Sequence, residues 1–176
     1  RIADGQLSIF NEHDYIDSIK IENVIKKGGG KIKKIPSILH TSGFHRVSKN
    51  KLTFLMDCGQ PSNANTYAGS LSFEFSHQKN KIVVNCGSPF INNKKLSEAL
   101  RSTAAHSTIS IDDINSSDIF FEKNTTTRIA NVWSEKLIDG HNFWINSAHS
   151  GYKDLFGLIH NRKIHIDTKN LIIRGQ

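Results

Sequence analysis

Residues 70–84, SLSFEFSHQKNKIVV, contain two candidate strands joined by a polar turn. Apolar and polar residues alternate in the first half, and this spacing predicts that the apolar residues face a core while the polar residues between them face outward. The inward set is Leu71, Phe73 and Phe75, and the outward set is Ser72, Glu74 and Ser76. One buried face is typical of a strand in an antiparallel sheet.

Alternating or β-branched segments recur along the whole chain, separated by stretches rich in Gly, Pro, Asn, Asp and Ser. They are LSIF, SGFHRVS, LTFLMDC, KIVVNCG, STISID, RIANVW, NFWINSA, LIHNRKIHID and NLIIRG. Short strands without long helical patterns between them predict an all-β fold, a two-layer antiparallel β-sandwich. The segment KLSEALRS, residues 95–102, is the only one that predicts a helix.

The length of 176 residues predicts a single domain, residues 1–176, and both ends look cut from a longer chain. Lys and Arg outnumber Asp and Glu by 23 to 16, so the net charge of +7 favours an anionic partner. No apolar run approaches the roughly 20 residues that cross a bilayer, so we expect no membrane contact. Cys58 and Cys86 are more consistent with buried free thiols than with a disulfide, although a disulfide stays open.

His106 lies in STAAHST, where small neighbours would let a ligand approach. The ISIDD that follows predicts that His106 starts a strand, and a rigid element makes a better site than a loop. Asn85 interrupts the apolar strand KIVVNCG, and Tyr67 comes just before the strand of residues 70–77. For each of these residues a purely structural role is the alternative, since buried polar groups usually satisfy neighbouring backbone.

The segment 147–167, SAHSGYKDLFGLIHNRKIHID, supplies His149, Tyr152, His160 and Arg162. A Tyr and a His could act as base and acid, and an Arg could bind a carboxylate through paired hydrogen bonds. The alternative is that these residues are the polar faces of a hairpin. The sequence contains no Cys-x-x-Cys pair, P-loop, Gly-x-Ser-x-Gly turn or His-Glu-x-x-His helix, so the common hydrolase, nucleotide and zinc-protease functions have no support.

An ordered series of motifs resembles the heparinase II/III-like family of polysaccharide lyases. The motifs are SGFHRV, DCGQP, YAGSLSFEFS, IVVNCGSPF, RSTAAHSTISIDD, AHSGYKDLFGLIHNRK and LIIRG. The resemblance implies a supersandwich-like β-sandwich region that follows an N-terminal α-helical toroid. It also implies cleavage of uronic-acid polysaccharides by β-elimination, with a Tyr and an Asn or His from the toroid. Because those toroid residues lie outside this chain, we expect the segment alone to be inactive or nearly so.

The resemblance implies catalytic roles for His106, His149 and Tyr152, and substrate contacts for Arg101, Arg162 and Tyr67. Several family members hold a metal, usually zinc, at positions that correspond here to Tyr67, Asn85 and His106, with Gly69 in place of a motif Asp. Only the His is retained, and zinc prefers nitrogen, thiolate or carboxylate ligands. We therefore expect a hydrogen-bonded polar cluster, with the His106 ring held by hydrogen bonds, and neither zinc nor another cofactor.

Two functions remain open after the sequence. The first is the sandwich region of a lyase whose partners are an anionic polysaccharide and the toroid of the same protein. The second is a catalytically inactive glycan-binding or structural sandwich. Nucleic-acid binding has the weakest support, because the interleaved aromatic and basic residues of an RRM or OB-fold are absent. Periplasmic or secreted location is favoured over cytoplasmic location by the resemblance alone.

Overall fold

The computed structural model describes residues 8, 10, 18–29, 38–39, 43–61, 67–87, 93–119 and 128–176. Its strands form two antiparallel sheets. The first contains, in spatial order, β1 (Ile38–Leu39), β2 (Phe44–Lys49), β3 (Leu52–Asp57), β4 (Phe73–His77) and β5 (Asn80–Val83). The second contains β6 (Val132–Asp139), β7 (Asn142–Tyr152), β8 (Leu158–Asp167) and β9 (Ile172–Gly175). The predicted all-β antiparallel sandwich is confirmed.

Short turns join several pairs of neighbouring strands. Lys49 pairs with Leu52 across the β2–β3 turn, whose two residues Asn50 and Lys51 have positive φ of 50° and 65°. Two consecutive residues with positive φ match the right-handed twist of the strands they connect. This turn chemistry sets the register of the hairpin, and the register decides which residues reach the core.

One hydrophobic core lies between the two sheets. The first sheet and the loop before β4 contribute Val47, Leu52, Phe54, Met56, Cys58 and Leu71, and the second sheet contributes Val132, Phe143, Ile145, Ile164 and Ile166. Polar contacts also join the layers, since Lys136 Nζ donates to the Arg46 carbonyl at 2.7 Å and His45 Nε2 lies 2.8 Å from Ser134 Oγ. Burial of these apolar side chains is the main stabilising contribution to the sandwich.

The outward assignment of the polar residues in SLSFEFS is wrong. Ser72, Glu74 and Ser76 are buried, whereas Phe73 and Phe75 are only partly buried although they pack against the core. The alternation of the strand is real, but its second face is also shielded from solvent. Alternation reports that two faces differ, and it does not report how much of the protein covers each face.

The helix over 95–102 is confirmed as α2 (Lys94–Arg101), and the Asn93 side chain accepts a hydrogen bond from Leu96 N at 3.2 Å at its beginning. The expectation of a single helix is wrong. The structure also has α1 (Ser18–Lys27) and the one-turn α3 (Lys153–Phe156). The α1 segment SIKIENVIKK is rich in β-branched residues, which have low helix propensity, so its sequence gave a weak helix signal.

Three other local predictions are corrected. STISID forms no strand, because Asp112 and Asp113 adopt positive φ and leave only an isolated bridge between Ile111 and Ile114. The strand of RIANVW begins only at its fifth residue, and that of KIVVNCG ends before Asn85. Both cysteines are free, but only one of them is buried, so the predicted burial of Cys86 is wrong. Half of LSIF, residues 7 and 9, lies outside the described residues.

No helix in the described part of the chain is long and apolar enough to cross a membrane.

Candidate functional site

His106 lies in the loop that follows α2, at the end of a 3-10 turn over Thr103–Ala105. The loop is tied to the segment that precedes β4. Ala68 N donates to the Arg101 carbonyl at 3.0 Å, and Thr103 Oγ1 donates to the Ala68 carbonyl at 2.7 Å. The prediction that His106 starts a strand is therefore wrong, since His106 lies in a loop that hydrogen bonds to backbone carbonyls hold against the segment before β4.

The His106 ring is enclosed by Tyr67 and Gly69. Tyr67 stacks against it with ring centroids 6.2 Å apart, and a Cβ at Gly69 would lie only 2.0 Å from His106 Cδ2. His106 is 8% exposed and Tyr67 9% exposed. Among the described residues, neither His106 ring nitrogen nor the Tyr67 hydroxyl has a hydrogen-bond partner. The predicted contact between these rings is found, whereas no hydrogen bond of normal geometry reaches the His106 ring from the part of the chain that the structure describes.

Burial lowers the pKa of His106, and a weaker effect of the Ala105 backbone opposes this shift without cancelling it. At neutral pH the imidazole is therefore uncharged, with one nitrogen able to donate and the other able to accept. A buried polar group without partners is unusual in a folded protein. The ring is thus the most conspicuous candidate in this loop for contact with something outside the described residues.

Asn85 forms hydrogen bonds that stabilise the loop carrying His106. Its Oδ1 accepts from Ser107 N at 2.9 Å and from Ser107 Oγ at 3.2 Å, and its Nδ2 donates to the Phe73 carbonyl at 3.4 Å. The amide thereby joins β4 to the residue after His106. This arrangement supports the structural alternative for Asn85.

Arg101, the last residue of α2, lies beside the same cluster. Its Cζ is 5.1 Å from the centroid of the Tyr67 ring, a distance at which a guanidinium is attracted to an aromatic face. The structure therefore brings together three of the six predicted site residues, Arg101, Tyr67 and His106. We call this group the His106 cluster.

The other predicted residues form a second group on the inner face of the second sheet. His149 is fully buried in β7, where its Nδ1 accepts from Gly151 N at 3.1 Å and its Nε2 lies 3.0 Å from His160 Nδ1. Because Nδ1 accepts, the proton of the neutral ring is on Nε2 and is donated to His160. Burial, with His160 and Arg162 nearby, lowers the pKa of His149 to about 4, and burial with Arg162 lowers that of His160 to about 4.

Tyr152 and Arg162 connect this second group to the loop that carries His106. The Tyr152 hydroxyl donates to the Ile109 carbonyl at 3.0 Å. Arg162 Nη1 donates to the carbonyls of Leu71 and Ser107, both at 2.7 Å. Hydrogen bonds from a cation to backbone carbonyls are among the stronger ones in proteins. The second sheet therefore supports the backbone on either side of the His106 cluster. The predicted catalytic and substrate-binding roles of this group stay predictions.

Sequence reasoning missed Arg128. Its guanidinium donates to the carbonyls of Asn115, Ser116 and Gly151 and pairs with Asp118 at 3.3 Å. A lone Arg before an apolar run gives no signal for such a role, because its acceptors come from backbone that is distant in sequence. Arg128 completes the attachment of the loop to the second sheet.

The residues at the predicted metal positions do not fit a zinc ion. The Asn85 oxygen already accepts from Ser107, and at Gly69 the His106 ring occupies the space that a ligand side chain would need. In the part of the chain that the structure describes, no group of three or more His, Cys, Asp or Glu residues is arranged to hold a metal. The absence of zinc and of other cofactors remains an expectation.

The comparison with protein families gives a match to the heparinase II/III-like C-terminal family over residues 33–176. The chain belongs to this family. Its fold is also similar to that of heparan sulfate lyase HepC from Pedobacter heparinus, with a TM-score of 0.69 and 15% identity over 96% of this chain and 29% of that one. A heparinase III with methylated lysines has a TM-score of 0.69 and 16% identity, over 95% of this chain and 28% of that one.

This family member spans less than a third of each of these two lyases. At such low identity the structural similarity shows the fold alone. Among curated proteins no sequence matches the chain. The family thus agrees with the resemblance seen in the motifs, and the assignment of a reaction to the His106 cluster has to rest on chemistry.

Proposed function

We propose that this heparinase II/III-like domain is the sandwich region of a lyase that cleaves uronic-acid-containing anionic glycans by β-elimination. A helical domain elsewhere in the parent protein would complete the cleft. The observation that carries the proposal is the neutral, buried imidazole of His106, whose nitrogens have no partner among the described residues. The Tyr67 ring that stacks on it carries the Arg101 guanidinium over its face. Support also comes from family membership.

β-Elimination on a uronate needs three kinds of group. A cation or donor must neutralise the carboxylate so that the neighbouring carbon can lose its proton, a base must take that proton, and an acid must protonate the leaving oxygen. Arg101 can supply the cation. His106 can accept or donate a proton, because its lowered pKa keeps the ring neutral at pH 7.

The remaining predicted site residues receive positioning roles in this proposal. The polar atoms of His149, Tyr152 and Arg162 all contact other groups of the chain, so they can orient the loop on which His106 lies. A Tyr and an Asn or His from the toroid would provide the other proton-transfer groups. The 176-residue segment by itself should consequently show little or no turnover.

The test is an assay of the full-length parent protein on heparin, heparan sulfate and alginate, following the ultraviolet absorbance of the unsaturated product. We expect His106→Ala to lower turnover by on the order of a hundredfold, the usual contribution of a proton-transfer group. His141→Ala is the matched control, because His141 is exposed in the β6–β7 turn, and it should retain full activity. Absence of product on every uronate glycan would refute the lyase proposal.

A second candidate function is a catalytically inactive glycan-binding or structural sandwich. The observation that favours it is the misfit of Gly69 and Asn85 to a metal. The same experiment separates the two candidates. Suppose that the parent protein binds heparin, that substitution of Arg101 weakens this binding, and that no unsaturated product is released. This result would favour the inactive binding domain.

A further inference from the structure

The outer face of the second sheet, which points away from the core, contains a pocket of about 350 Å³. It is about as large as the smallest typical ligand pockets, roughly 300 Å³. Two cross-strand rows line most of it. The first row is Trp133, Ala148 and Asn161, and the second is Glu135, Asn146 and Lys163. The pocket is on the opposite face from His149, His160 and Arg162, so it is separate from the residues considered above.

The shape of the pocket follows from side-chain size. Ala148 is buried and short, and it lies between the larger Trp133 and Asn161 in the same row, so the row has a notch at its centre. Trp133 is 48% exposed and presents a large aromatic surface to the solvent at one side of the notch. An exposed Trp beside a concave surface is a frequent sign of a binding site.

The polar side chains of the pocket can form hydrogen bonds with the hydroxyl groups of a ligand. Asn146 Nδ2 donates to Glu135 Oε1 at 2.8 Å, which orients both side chains at one end. The amide of Asn161 and the ammonium of Lys163 add further donors and an acceptor on the β8 side. Within one small volume the pocket therefore combines a flat apolar surface with several donors and acceptors.

We propose that this pocket binds an uncharged sugar ring of a glycan. One face of a pyranose ring carries C–H groups that stack on an indole, and its hydroxyls donate and accept hydrogen bonds at the ring edge. The charges of Glu135 and Lys163 cancel within the pocket, so a polyanion gains no net attraction there. The pocket differs in this respect from the Arg101 side of the His106 cluster. The inference does not rest on the proposed lyase function and can fail or succeed independently of it.

The test uses the protein's own fluorescence, because its two tryptophans, Trp133 and Trp144, are both on this face of the sheet. We expect a saturable fluorescence change with oligomers of N-acetylglucosamine or glucose, confirmed by calorimetry. Trp133→Ala should weaken binding at least tenfold. Leu137→Ala is the matched control, since Leu137 is on the same strand and face, is 56% exposed and lies outside the pocket, and it should bind normally.

Other outcomes would overturn the proposal. They are an absence of saturable binding to either neutral oligomer, equal loss of binding in both variants, and binding of heparin alone. Self-association that sedimentation detects and Trp133→Ala abolishes would show instead that a second copy covers this face. Asn161→Ala provides a second variant if Trp133→Ala fails to fold by circular dichroism. It removes one exposed amide and should weaken sugar binding by a smaller factor, about threefold for a modest hydrogen bond.

Discussion

His106 and His149 are both buried, yet their surroundings differ in one decisive respect. Both ring nitrogens of His149 have partners, Gly151 N and His160. Those of His106 have none within the described residues, and the ring contacts Tyr67 and Gly69 instead. A buried imidazole whose hydrogen bonds are complete belongs to the scaffold, whereas one without partners is available to a group from outside.

The two regions are also mechanically connected. An unsatisfied buried polar group destabilises a fold by about 1–3 kcal/mol, so the loop that holds His106 needs support from elsewhere. Arg162 and Tyr152, from the second sheet, provide it through hydrogen bonds to the carbonyls of Ser107 and Ile109. His149 thus belongs to a supporting region and His106 to a candidate reactive one, and three experiments test this distinction.

The largest expected effect is the pH dependence of stability due to His149. Its pKa is about 4 in the folded protein, below the usual 6.5, so the folded state binds fewer protons than the unfolded state between these values. The stabilisation is complete above pH 6.5 and is lost as the pH falls to about 4. Relative to His149→Phe, the wild type should lose on the order of 3 kcal/mol of unfolding free energy between pH 7 and pH 4. Urea denaturation of both proteins at each pH measures this difference.

Wild type and variant have to be compared because Asp57 changes the stability with pH in the opposite direction. Burial raises the pKa of Asp57 to about 6, against the effect of the Gly59 amide, so its protonation stabilises the folded state as the pH falls below 6. Wild type and variant share this contribution, and it cancels in their difference. A difference that stays constant across the range would mean that His149 is not held neutral, and the contrast between the two histidines would disappear.

Two glycines provide the second test. The three atoms nearest to a Cβ at Gly69 all belong to the His106 ring, whereas a Cβ at Gly151 would meet the Ser116 carbonyl oxygen at 2.2 Å as well as His149 Nδ1 at 3.0 Å. We expect Gly69→Ala and Gly151→Ala each to destabilise the fold by about 2 kcal/mol through overpacking. Denaturant unfolding of the single and double variants measures the coupling.

The double variants distinguish the two sites. Adding His106→Ala to Gly69→Ala removes the clashing ring and should recover most of the lost stability. Adding His149→Ala to Gly151→Ala should recover none, because the backbone carbonyl of Ser116 remains. Equal behaviour of the two pairs would show that the surroundings of His106 are as fixed as those of His149.

The smallest expected effect comes from two buried tyrosines. The Tyr152 hydroxyl donates to the Ile109 carbonyl at 3.0 Å, whereas the Tyr67 hydroxyl has no partner among the described residues. Tyr152→Phe should therefore lower the unfolding free energy by about 1 kcal/mol, whereas Tyr67→Phe should leave it unchanged or raise it, because this change removes a buried hydroxyl that has no partner there. Thermal and urea unfolding check both values. A loss of unfolding free energy in Tyr67→Phe as large as that in Tyr152→Phe would reveal a hydrogen bond at the Tyr67 hydroxyl.

Local patterns predicted some parts of the molecule and missed others for identifiable reasons. Alternation located most strands, since a period of two distinguishes the faces of a strand wherever one face is buried. It failed for STISID, where Asp112 and Asp113 turn the chain, and for the outward assignment of Glu74, which is buried. The helix α1 was missed because β-branched residues weaken the helix signal.

The candidate site was predictable in part. His106 and Tyr67 were selected from motif and composition, and their rings are in contact. Arg128 was missed, and within the described ranges the ring of His106 has none of the hydrogen bonds that were expected. Whether a buried polar atom has a hydrogen-bond partner depends on the positions of the surrounding loop atoms to within about 1 Å. Hydrogen bonds weaken quickly beyond their normal distances.

The class of fold and the family could be predicted from the amino-acid sequence, because both depend on the order of alternating segments and motifs along the chain. Only the packed fold decided that His149 has hydrogen-bond partners and that the His106 ring has none among the described residues, and only the packed fold assembled the Trp133 pocket. The physical reason is that residues such as Ser107 and Arg162 are 55 positions apart in the chain and meet only after the sheets pack. Hydrogen bonds and pocket walls depend on such contacts, which no local pattern encodes.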